Sequence, residues 1–101
     1  MRLTGREETG KGKRQLRIWF KEWKDSRMLR DLVVSDDGED TRTHKIFQAL
    51  EQACSAFDLS VPIWLDKNID EFKRHAKTRF SADNFVDGIG FDYLEMHVIE
   101  E

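Results

Sequence analysis

From Leu16 onward apolar Leu16, Ile18 and Phe20 alternate with Arg17, Trp19, Lys21 and Trp23. A two-residue period puts the two sets on opposite faces of a strand. The polar stretch Lys24 to Arg27 predicts a tight turn, and the apolar run Met28 to Val34 predicts the return strand of a hairpin. After the polar loop Ser35 to Asp40 the period changes. Ile46, Phe47, Leu50, Ala53, Cys54 and Phe57 fall within an arc of roughly 120° on a helical wheel. They predict an amphipathic helix that starts near Thr41, behind acidic residues that suit a helix N-terminus, and ends around Asp58 to Ser60, before Pro62. Ile63, Trp64 and Leu65 form an apolar connector. Asn68, with Glu71 three residues on, predicts the cap of a second helix whose stripe is Ile69, Phe72, Ala76 and Phe80. Beyond a loop from Ser81 to Gly90, Leu94, Met96 and Val98 alternate with Tyr93, Glu95 and His97, which predicts a third strand. The order β-β-α-α-β favours an α+β fold, a three-stranded antiparallel sheet with two helices on one face. The pattern leaves open which hairpin strand the last one joins.

Composition narrows the class. The chain has 101 residues, 39% of them hydrophobic, enough for one domain, placed at 16–101. Residues 1–15 hold three of the six glycines and almost no apolar side chains, and read as a flexible extension. Five basic residues there (Arg2, Arg6, Lys11, Lys13, Arg14) outweigh Glu7 and Glu8. With a whole-chain charge of −3 the remainder therefore carries −6, a balance that repels phosphate backbones on average. The sequence has no apolar run of membrane-spanning length and no signal-like start, so the expected compartment is cytoplasmic, with no membrane partner. The lone Cys54 cannot form an internal disulfide, in keeping with a reducing environment.

The candidate chemical motifs fall short one by one. Gly5–Gly12 (GREETGKG) nearly matches a phosphate-binding loop, but Gly12 stands where the hydroxyl residue belongs, and the flanking strand and helix are missing. Cys54, with His44 or His97 as a base, would be a nucleophile, yet it lies on the apolar arc of the first helix and reads as core. Glu71 and His75 share a helix face without the further ligands a metal needs, and Asp36 to Asp40 lack calcium-loop spacing. The expectation is a protein with no catalytic, cofactor-binding or metal-binding residues, no cofactor and no identified small-molecule substrate. The chain is not expected to be an enzyme.

Two surfaces remain. Lys73, Arg74, His75, Lys77 and Arg79 form a basic ridge on the second helix, with Lys73, Arg74, Lys77 and Arg79 as candidate contacts to an anion or nucleic acid. On the sheet face away from the helices, Arg17, Trp19, Lys21 and Trp23 are joined by Tyr93 and His97. Aromatics interleaved with cations anchor protein interfaces and also stack nucleobases. The leading expectation is a small interaction module using Trp19, Trp23, Arg17, Lys21 and Tyr93 for a protein partner or a homodimer. The alternative is a nucleic-acid-binding accessory protein using the basic helix face.

Several stretches, Glu39–Phe47 (EDTRTHKIF), Pro62–Asp66 (PIWLD), Glu71–Phe80 (EFKRHAKTRF) and Phe91–Glu95 (FDYLE), are similar to small uncharacterised proteins of anaerobic Gram-positive gut bacteria. The resemblance runs from about Leu16 onward. It implies a cytosolic bacterial protein in which residues 1–15 are an added extension. The family has no assigned activity, so the resemblance lends no functional residue.

Overall fold

The computed structural model describes residues 15–101. Apart from Gln15, the expected extension and its Gly5–Gly12 segment lie outside the described residues. Strands β1 (Leu16–Lys24) and β2 (Arg27–Asp36) form the hairpin, followed by helices α1 (Arg42–Ala56) and α2 (Asp66–His75). Strand β3 (Lys77–Phe80), a 3-10 turn at Ala82–Asn84 and strand β4 (Tyr93–Glu100) complete the chain. The four strands form one antiparallel sheet in the order β2-β1-β4-β3. The α+β class is as expected, but the described residues hold four strands, in the order β-β-α-α-β-β. The last strand meets the first, pairing Ile18 with Val98 and Trp23 with Tyr93.

The two-residue period of β1 sorts its side chains as the sequence implies. Leu16, Ile18 and Phe20 are buried, as are Leu94, Met96 and Val98 on β4. Above them lie Ile46, Ala49, Leu50, Ala53 and Cys54 of α1. Thr41 caps α1, its Oγ1 accepting from the His44 backbone N–H, which satisfies a donor left free by the first helical turn. Phe47 departs from the expected apolar arc and is 46% exposed.

Two acidic anchors are built into this framework. Glu22, on the helix side of β1, is buried and accepts from Arg30 Nε and Nη2 at 3.1 and 3.2 Å. The same Nη2 donates to the Phe57 carbonyl, and the guanidinium lies over the Phe57 ring. The cation thus sits at the end of α1, where helix carbonyls favour it. At the hairpin, Asp25 and Ser26 both take positive φ, which a right-twisted two-residue turn requires. Asp92 holds that turn: its carboxylate accepts from the Asp25 N–H, and its own N–H donates to the Trp23 carbonyl.

The second helix is where structure and pattern part. Its N-cap is Leu65, not Asn68, and Asn68 instead reaches back to accept from the Leu65 N–H. The helix stops at Ala76, which sits in the left-handed region at φ 55° and donates to the Phe72 carbonyl. Its carbonyl accepts from the Val98 N–H, handing the chain to β4. Lys77–Phe80 is therefore a strand, and Phe80 enters the core from the sheet rather than from a helical stripe. Ile69, assigned to the same stripe, is 42% exposed.

Beneath α2 lies a buried polar cluster. Asn68 donates to Thr78 Oγ1 and the Arg79 carbonyl, both at 2.9 Å, while its oxygen accepts from Asn84 at 2.7 Å. Asn84 also donates to the Ile63 carbonyl and accepts from the Ser81 N–H. The Thr78 hydroxyl in turn donates to the Glu71 carboxylate. The apolar connector, α2, β3 and the 3-10 turn are tied together by two fully buried asparagines.

Candidate functional site

The helices cover one side of the sheet; among the described residues no helix or strand covers the other. Register builds the open face in rows. Val33, Trp19, His97 and Lys77 stand side by side across four strands, and next to them Asp31, Lys21, Glu95 and Arg79. Trp23 faces Tyr93 at one end, ring centroids 6.5 Å apart. At the other end Arg17 bonds Glu100 at 3.3 Å. Trp19, Trp23, Arg17, Lys21 and Tyr93 are thus gathered on one surface, with His97 among them.

The centre of that surface is a carboxylate that the sequence did not single out. Glu95 is 5% exposed. It accepts from the Trp23 indole N–H at 2.9 Å, and Lys21 and Lys77 stand at 3.7 and 3.8 Å. The Trp19 indole donates to Asp31 at 2.8 Å, and Lys21 lies 4.0 Å above the Trp19 ring. Arg79 covers Tyr93 in the same manner at 4.7 Å. Both indoles are half-buried, their N–H groups are satisfied internally, and what they present outward is ring surface.

This wiring corrects the basic ridge. Lys77 and Arg79 belong to β3 and share the open sheet face, while Lys73, Arg74 and His75 stay on α2. Lys77 is committed to Glu95, and Arg74 pairs with Asp70 at 3.3 Å on an exposed surface. The expected ridge is split between two elements, and part of its charge is neutralised.

His97 sits between Trp19 and Lys77. Its pKa is held below the ordinary histidine value, first by burial and then by the Lys77 and Lys21 cations, against the pull of Glu95. A histidine depressed in this way takes up fewer protons folded than unfolded. Its contribution to stability is complete above its unfolded value, near 6.5, and is lost as pH falls toward the lower folded value. His97→Gln is expected to flatten the slope of urea midpoint against pH between about 5 and 7; an unchanged slope would exclude this group as its source.

Cys54 is fully buried, and burial pushes its thiol up to about 11, so it packs as a small apolar side chain. His44 bonds Asp40 on the exposed first turn of α1, on another element from His97. No group of three or more potential metal ligands occurs among the described residues. An apolar cleft of about 250 Å³ lies between the helices and is lined by Ile46, Phe47, Trp64, Ile69 and Phe72 with Arg42, Thr43 and Lys73. Among the described residues that line it there is no carboxylate, histidine or thiol. Trp64 lies edge-on to Phe72 and Phe80, its indole N–H without a hydrogen-bond partner among the described residues. No helix among the described residues is long and apolar enough to cross a membrane.

Comparison of the chain with protein-family models, with curated proteins and with solved structures returned no match.

Proposed function

We propose that this chain is a small non-enzymatic interaction module that holds a protein partner on the open face of its sheet. The observation that carries the reading is the pair of half-buried indoles, Trp19 and Trp23, each locked by an internal hydrogen bond to Asp31 or Glu95. Aromatic rings fixed before contact lose little freedom on binding, the property of interface anchors. The cations beside them favour protein over nucleic acid, because Lys21 and Lys77 already serve Glu95 and a phosphate would have to displace a carboxylate.

The Trp19→Ala/Trp23→Ala double variant is expected to lose partner capture by at least about tenfold, with an unchanged far-UV circular dichroism spectrum. Cross-linking mass spectrometry should place the wild-type contacts on outward residues of β1 and β4. Capture that survives the double substitution overturns the reading. Oligonucleotide binding that weakens steeply with salt, and disappears when Lys73, Arg74, Lys77 and Arg79 are replaced by alanine, would put the nucleic-acid alternative in its place.

A further inference from the structure

The two edges of the sheet are built differently. At one edge, β3 is four residues long and carries Lys77 and Arg79, a short charged edge of the kind that resists pairing with another chain. At the other, β2 is ten residues long and, among the described residues, pairs only with β1. Its irregularity opposite Glu22 and Trp23 falls near its start, leaving residues 30–36 in unbroken register. That run has neither proline nor lysine, and outward Val33 is 38% exposed. Beside it α1 stands back, leaving clefts lined by Leu32, Val34, Gln48, Gln52 and Ala56. Alternate backbone N–H and C=O groups of this strand point to an edge where no described strand lies.

We propose that β2 pairs antiparallel with β2 of a second copy about a two-fold axis at Val33, joining two sheets into one. A two-fold normal to a sheet places each residue opposite one on the same face, so the register must centre on a single residue. Centring on Arg30 or Asp31 sets like charges together, and centring on Leu32 leaves Arg30 and Asp31 opposite valines. Centring on Val33 puts Val33 against Val33, Leu32 against Val34, Asp31 against Ser35 and Arg30 against Asp36. Opposite charges and apolar pairs then coincide. Among the described residues Arg30 bonds through Nε and Nη2 only, and Asp36 through Oδ1 only, so each has a further atom to offer its counterpart. Because Val33 neighbours Trp19, the junction would run the two open faces together. This inference adds to the open-face reading without resting on it.

Sedimentation equilibrium of the full chain at about 100 μM should give twice the 12.0 kDa protomer mass. Val33→Lys should restore the protomer mass with unchanged circular dichroism. A short bismaleimide should cross-link Val33→Cys to itself at least about tenfold faster than Ser35→Cys, whose copies would lie four residues out of register, roughly 13 Å apart. The buried Cys54 stays silent in both variants. A protomer-mass species at every concentration, or equal cross-linking by the two variants, overturns the proposal. A dimer abolished by Trp19→Ala/Trp23→Ala but untouched by Val33→Lys also overturns it, and assigns the association to the open face.

Discussion

Asn68→Leu is expected to lower unfolding free energy by about 4 kcal/mol, a drop of roughly 20 °C in Tm for a domain of this size. Leucine has as many side-chain heavy atoms as asparagine but is bulkier, so some overpacking adds to the larger loss from the groups left behind. The Leu65 N–H, the Arg79 carbonyl and the Asn84 side-chain amide would each lose a bond, the last of them between two fully buried side chains. An unsatisfied buried group costs about 1–3 kcal/mol, and three exceed any gain from a more apolar side chain. Thr78 would keep its bond to Glu71, which is why the expected value stays below the sum of three maximal penalties. Chemical denaturation of the purified variant measures this directly. A change under about 1 kcal/mol would mean that the pocket repacks or admits water.

Phe20→Ala should cost a similar amount, about 4 kcal/mol, while its neighbour Trp19→Ala should cost about 1 kcal/mol. Phe20 is fully buried under α1, against Leu50 and Met96 in the central cluster, so truncation opens a cavity with no route for collapse. Trp19 is larger but only partly buried, and it gives up one hydrogen bond to an exposed aspartate and the Lys21 cation over its ring. The contrast between consecutive residues reads out the phase of β1 in energy. Equal costs would mean that the supposedly open face is packed as tightly as the core.

That phase was legible because β1 and β4 carry an unbroken two-residue alternation, and one wrong step would have exposed Ile18 and Phe20. The apolar arc of α1 and its Thr41 start were legible for the same reason, since each amphipathic element announces its buried side. Strand β3 was not. Ile69, Phe72, Ala76 and Phe80 satisfy helical spacing, and alanine is the strongest helix former, so nothing local marks Ala76 as a stop. Its left-handed backbone is imposed by the bond to Val98, a partner 22 positions away. Much of the open face was readable as residue types. Its hub was not, because Glu95 gains its meaning only when β4 lies between β1 and β3. Asp31 and Val33 were hidden in what reads as a continuous apolar run.

The ending of α2 at Ala76 also says something about order in time. Among the described residues strand β3 has β4 as its sole neighbour in the sheet, and β4 follows it in the chain. Until that last segment has been synthesised and docks, residues 77–80 have no ladder to join, and continued helical winding is their best local option. The α2–β3 junction is therefore expected to close only once the C-terminal segment is in place.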